Sequence, residues 1–307
     1  MTLLYSHPAS LDHVTPQGHP ERVARMQAVE AGLEGLRLAR RSAPLAEDAE
    51  ILRAHPQRYL DRLRAASPAQ GWAQIDGDTF LSPGTLEAAL RAVGGACAAV
   101  DAVLAGEDRN AFLAARPPGH HAESETAMGF CLFGTISIAA LRALQHHGLS
   151  RVAIVDFDVH HGNGTQDLLW NEDRALFCSS HQMPLYPGSG SPREQGAQGQ
   201  IVNLPLREGS GGAVMRAAYE AQILPRIAAW KPELILISAG FDAHANDPLA
   251  GLEWQAEDFA WLTERICDLA EEACAGRVVS CLEGGYDLPA LTASVAAHVR
   301  VLEERSR

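Results

Sequence analysis

Short, mainly apolar runs recur along the chain at Leu3–Ser6, Ala111–Ala115, Val152–Phe157, Ala175–Ser179, Leu234–Ser238 and Val278–Leu282. Between them, apolar residues return at helical spacing over Pro20–Gly35, Pro56–Ala66, Pro83–Gly106, Thr135–His147, Gly211–Ala229, Ala256–Ala275 and Leu288–Glu304. Strands apolar on both faces, alternating with amphipathic helices, predict a parallel sheet covered on both sides. No repeat, low-complexity tract or linker interrupts the pattern, so residues 1–307 read as one α/β domain.

Polar residues concentrate where the apolar runs stop. RPPGHHA, LYPGSGSP, GFDAHANDP and EGGYDLP each follow a predicted strand directly or within a few residues. In open α/β sheets the ligand site is built from the loops at the carboxyl ends of the strands. The densest case is RVAIVDFDVHHGNGTQ, residues 151–166. In it Asp156, Asp158 and His160 are spaced by two and share a face if the extended geometry continues.

A carboxylate and an imidazole on one edge make half of a zinc site, and catalytic zinc takes three protein ligands. Asp242, just after LILIS, is the predicted third, with His244 as its competitor. A lone D-x-H is also read as a helix cap. Here, however, buried carboxylates at a strand end need a partner. His120 and His121 suit proton transfer beside a metal-bound water, because imidazole titrates near neutral pH. Each needs an orienting partner on its second nitrogen, for which Asp156 and Asn163 are the candidates. Tyr286, behind a glycine pair, is placed to donate to a developing oxyanion. His161 reads as structural and His146–His147 as solvated surface.

Composition narrows the function classes. A formal charge of −13 speaks against an intrinsic nucleic-acid binder, which needs clustered Lys and Arg. No run approaches the length of a membrane span and no signal peptide is evident, so a cytoplasmic protein without membrane partners is expected. The six cysteines form no C-x-x-C pair and read as reduced core thiols.

Five ordered motifs, GHPERVARM, RPPGHHA with GFC downstream, DFDVHHGNGT, SAGFDAHANDP and LEGGY, resemble the zinc-dependent histone deacetylase superfamily. That superfamily includes acetylpolyamine amidohydrolases and bacterial deacetylase-like amidohydrolases. The match covers essentially the whole chain, and GNGTQ, SAGFD and LEGGY look like its class II branch.

The resemblance implies an arginase-like three-layer fold with about eight mainly parallel strands. It also implies zinc, with iron(II) compatible, on Asp158, His160 and Asp242. His120 and His121 would be the catalytic pair, with Asp156 and Asn163 behind them, and Tyr286 would polarise the acyl carbonyl. A structural potassium ion would sit at Asp156, Asp158, His160 and Ser179. Phe130, Gly129 and Tyr186 would wall an acyl-lysine channel, with Leu249 and Asp78 toward its rim and Arg25 near its foot.

The implied reaction is hydrolysis of an acylated lysine or small acylated amine. Polyamine-specialised relatives place a glutamate where this chain has Leu249, or carry a long insertion where it has the short loop Ala65–Asp78. Both features favour the lysine-type substrate over acetylpolyamines. A binuclear manganese hydrolase would need more carboxylates at strand ends. A non-catalytic acyl-binding protein would be expected to have lost a ligand, the histidine pair or Tyr286. The oligomeric state is not legible.

Overall fold

The computed structural model describes residues 1–306. Ten strands follow in chain order: β1 Leu3–Ser6, β2 Ala39–Ser42, β3 Ala73–Gln74, β4 Phe80–Leu81, β5 Asn110–Ala114, β6 Val152–Asp156, β7 Ala175–Gln182, β8 Ile201–Leu206, β9 Leu234–Ala239 and β10 Val278–Leu282. Eight of them form one sheet in the order β2-β1-β5-β10-β9-β6-β7-β8, all neighbours parallel. β3 and β4 make a separate antiparallel hairpin.

Alternation along each strand sends side chains into two cores. Phe112, Val155, Ile235 and Ile237 face the helices Ala24–Gly32, Ala256–Cys274 and Leu288–Glu304. Their neighbours Leu113, Ile154, Leu234 and Leu236 face Thr85–Leu104 and Thr135–Gln145. The segment expected as one helix from Gly211 to Ala229 is interrupted by a π-turn over Tyr219–Ile223, between helices Gly212–Ala218 and Leu224–Trp230. Pro225, which has no amide to donate, sits in the first turn after it.

The two outer strands escaped the apolar pattern because an edge strand need not be apolar on both faces. β2 reads ARRS, with alternate residues exposed, and β8 carries Asn203 and Pro205. Proline costs no ladder bond on the unpaired side of an edge. No described helix is long and apolar enough to cross a membrane.

Strands β5, β10, β9, β6 and β7 are consecutive neighbours in the sheet. Their carboxyl ends therefore deliver RPPGHHA, EGGYDLP, GFDAHANDP, DFDVHHGNGT and LYPGSGSP to one edge, although the sequence separates them by up to about 170 residues.

Candidate active site

β6 stops at Asp156, and the chain does not stay extended through the motif that follows. Asp156 Oδ1 accepts the amide of Asp158 at 3.1 Å, and Asp158 Oδ1 accepts the amide of His160 at 2.9 Å. Two successive side-chain-to-backbone turns thus replace the strand register expected from the spacing. The period of two survives because each aspartate caps the amide two residues on.

Asp158, His160 and Asp242 are buried and offer ligand atoms that all lie within 4.8 Å of one another. His160 Nδ1 is 3.1 Å from both Asp158 Oδ1 and Asp242 Oδ2. These separations suit the edges of a tetrahedron with metal–ligand bonds of about 2.0–2.2 Å. Burial disfavours charge on His160, yet the two carboxylates outweigh it and lift its pKa to about 10. A proton on Nδ1 and a divalent cation are alternative ways of neutralising this pair of carboxylates, so the donor set fits zinc or iron(II).

Gly284 closes the site from the β10 side. Its amide donates to Asp158 Oδ2 at 2.8 Å, and a Cβ there would overlap the carboxylates of both Asp242 and Asp158. Close approach to the metal-ligand candidates thus explains Gly284, whereas Gly285 adopts φ +119° with Leu291 and Phe241 packed against it. His244 stays outside the cluster, its Nδ1 accepting the Asn246 amide. His161 turns away to Ser189 Oγ at 2.8 Å.

His120 Nδ1 lies 3.0 Å from Asp156 Oδ2, and His121 Nδ1 lies 2.7 Å from Asn163 Oδ1. The two environments separate the rings electrostatically. Burial opposes charge on His120, but Asp158 and Asp156 outweigh it and raise its pKa well above the ordinary value. Burial, reinforced by His120 and His160, holds His121 well below it. Tyr286 is pushed well above the ordinary phenol range, chiefly by burial, and so stays a proton donor.

Above these groups opens a cavity of about 390 Å³ lined by His121, His160, Tyr286, Gly129, Phe130, Tyr186, Leu249 and Asp78. Arg25 does not line it. It is buried behind Tyr286, with Cζ 4.9 Å from the ring centroid, and its guanidinium donates to the carbonyls of Gly285 and Glu283. The expectation of Arg25 in the channel is corrected to a support beneath the tyrosine loop. The potassium expectation gains no support from these contacts. Asp156 is bonded through both oxygens, and Ser179 Oγ pairs with His181 Nδ1 at 3.0 Å.

Gly129 adopts φ +54° with its Cα against the His121 ring, and a Cβ would overlap His121 Cδ2 and Cγ. Gly129→Ala is expected to displace that ring and lower kcat/KM by roughly 100-fold, the usual consequence of an ångström-scale misplacement. The measurement is steady-state kinetics alongside thermal unfolding. Unchanged kcat/KM would show that the ring tolerates the shift.

Several contributors were not read from the sequence. His19, Phe80 and Leu185 complete the cavity wall. Glu283 is buried and accepts the amides of Gly119 and His120 at 2.7 and 3.2 Å, fixing the backbone of the histidine pair. Asp247 accepts the amide of Tyr286 at 2.7 Å. Glu21 bridges Arg116 and Arg25 in a fully buried ion cluster. Glu283 carried a legible signal, a charged residue where a fully buried strand ends, of the same kind that marked Asp156.

An eight-stranded parallel sheet thus carries, at its carboxyl edge, a buried Asp-His-Asp donor set that could hold a metal ion and a histidine pair beside it, the build of an α/β enzyme domain. The histone deacetylase domain model matches residues 19–302, and the chain belongs to that family. Members of this family are hydrolases acting on amide bonds.

The histone deacetylase-like amidohydrolase of Pseudomonas aeruginosa is 41% identical over 91% of this chain and 74% of its own. The probable deacetylase of Archaeoglobus fulgidus is 39% identical over 94% and 82%. The chloroplastic histone deacetylase 10 of Oryza sativa subsp. japonica is 39% identical over 96% and 71%. The crystal structure of the HDA15 HD domain superposes with a TM-score of 0.93 at 32% identity, covering 99% of this chain and 88% of that one.

Proposed function

We propose that the protein is a zinc-dependent deacetylase of the class II type that hydrolyses the amide of an acylated lysine or a comparable acylated amine. The observation that carries the reading is the convergence of His160, His121 and Tyr286 on one aromatic-walled cavity, with the other two donors, Asp158 and Asp242, buried behind His160. Zinc or iron(II) held by Asp158, His160 and Asp242 would polarise the acyl oxygen and acidify a bound water.

The chain's own residues supply the rest. Phe130 and Tyr186 flank the cavity and take the methylene stem of the substrate between apolar surfaces. His121, kept neutral by burial, accepts the water proton at Nε2 while Asn163 Oδ1 holds its Nδ1–H. It returns that proton to the departing nitrogen as the C–N bond breaks, leaving a carboxylic acid and a free amine. His120, paired with Asp156, keeps positive charge beside the developing oxyanion, to which the Tyr286 phenol donates.

Leu249 in the cavity wall offers no carboxylate to a cationic chain, which favours acyl-lysine over acetylpolyamine. A second metal has no evident ligands among the described residues beyond the one three-residue cluster. The direct test assays one purified sample on acetyl-lysine peptides and on acetylated polyamines, with a chelator and Tyr286→Phe as controls. The peptides are expected to turn over with the higher kcat/KM, and Tyr286→Phe to lower kcat by ~10²–10³-fold, as for loss of one oxyanion donor. Activity that survives both controls would defeat the mechanism.

Asn163 is a neutral partner where class I relatives have a carboxylate. A carboxylate there would favour the imidazolium form and raise the His121 pKa. Since the base must be neutral, Asn163→Asp is expected to move the acidic limb of kcat/KM to higher pH. A pH–rate profile with an unmoved acidic limb would remove Asn163 from behind the base.

A further inference from the structure

Behind His121 the hydrogen bonds continue one residue further than the histidine–asparagine pair. Asn163 turns Oδ1 to His121 Nδ1 at 2.7 Å and Nδ2 to Glu123 Oε1 at 2.8 Å, with Met128 Sδ 3.4 Å from the same Nδ2. The two ends of an amide are opposite instructions to an imidazole. With Oδ1 forward, Nδ1 carries the ring proton and Nε2 keeps its lone pair for the cavity. With the amide reversed, Nδ2 would donate to Nδ1, and the neutral ring would hold its proton on Nε2, where it cannot act as a base. Oδ1 and Nδ2 are nearly equal in size, so shape alone does not choose between the two. Glu123 does choose, because its Oε1 accepts from Nδ2 and so holds the NH2 end.

We propose that Glu123 is a positioning residue that selects the base-competent tautomer of His121 by fixing the orientation of the Asn163 amide.

The loop that delivers Glu123 is pinned. The Glu123 amide donates to the Thr126 carbonyl at 3.0 Å and its carbonyl accepts from the Thr126 amide at 3.4 Å. Next to it, the Ser124 amide donates to Asp167 Oδ2 at 2.8 Å and the Ser124 carbonyl faces His55 Nδ1 at 3.0 Å. Glu123 itself is half-buried and belongs neither to the cavity wall nor to the three-residue donor cluster. Its one side-chain hydrogen bond to the catalytic groups runs through Asn163.

The inference rests on His121 being the proton acceptor, and a double-mutant cycle separates the two ideas. Glu123→Ala is expected to lower kcat ~3–10-fold with KM nearly unchanged, the range that one net hydrogen bond represents. Glu123→Gln, whose Oε1 still accepts, is expected to recover most of that loss. In an Asn163→Asp background no amide remains to be oriented, and the two carboxylates would repel each other. There Glu123→Ala is expected to leave kcat no lower than in Asn163→Asp alone, or to raise it.

A loss of equal size in both backgrounds, with thermal unfolding unchanged, would mean that Glu123 serves only the loop and would overturn the proposal. His121→Ala is the control for the underlying reading. Full turnover in that variant removes the base assignment and the proposal with it. An inactive His121→Ala with a background-independent Glu123 effect removes the tautomer selection alone.

Discussion

Asp242→Ala is expected to lose bound metal and measurable amide hydrolysis together. Three atoms only would hold the proposed cation, and removing Asp242 Oδ2 leaves Asp158 and His160, too few for a catalytic metal. The same change frees the Val159 amide, which Asp242 Oδ1 accepts at 2.9 Å, so the turn that aims His160 is loosened as well. Asp242→Asn, which keeps an oxygen for Val159, distinguishes the two effects. It is expected to retain the native unfolding transition but not the metal. The measurement is metal content of the purified protein by elemental analysis, with peptide deacetylation in parallel. A variant that keeps one metal per chain would place the centre elsewhere.

His121→Ala is expected to retain the metal and lower kcat by ~10²–10⁴-fold, the usual contribution of a positioned general base. None of the three donor atoms belongs to His121, so metal content should not follow activity here. The ring faces the cavity with its centroid 5.2 Å from that of Tyr186 in edge contact. Part of the loss therefore reaches KM through the substrate stem, and single-turnover kinetics separate that part from the chemical step. A variant with wild-type single-turnover rates would transfer the base role to His120. Asp242→Ala and His121→Ala together distinguish metal binding from proton transfer within one cavity.

The central strands were legible because each is covered on both faces and must be mainly apolar. Leu3–Ser6 and Val278–Leu282 have the same bounds in the sequence pattern and in the structure. The edges were not, since a strand such as ARRS owes its place to pairing with Leu3–Ser6 and not to its own composition. The D-x-D-x-H spacing pointed to side chains that do converge, but the register argument behind it does not describe the backbone. Capping by Asp156 and Asp158, and not strand pleat, sets the spacing.

Glu283, Asp247 and Glu123 act on backbone amides or on another side chain's amide, so their targets lie 39 to 164 residues away in sequence and leave no local pattern. Arg25 was placed at the right end of the cavity but on the wrong side of Tyr286.

By itself the sequence determined the alternation of buried strands and helices and the identity of the loops that carry chemistry. Both follow from short-range rules: apolar period, and polar residues confined to strand ends. Only the tertiary structure decided which oxygen faces which nitrogen. Strand order brings Asp158 beside Asp242, Gly284 leaves room for both, and Asn163 faces His121 with its oxygen because Glu123 stands behind it. Those choices depend on distances of about 3 Å between groups far apart in the chain, which no local periodicity encodes.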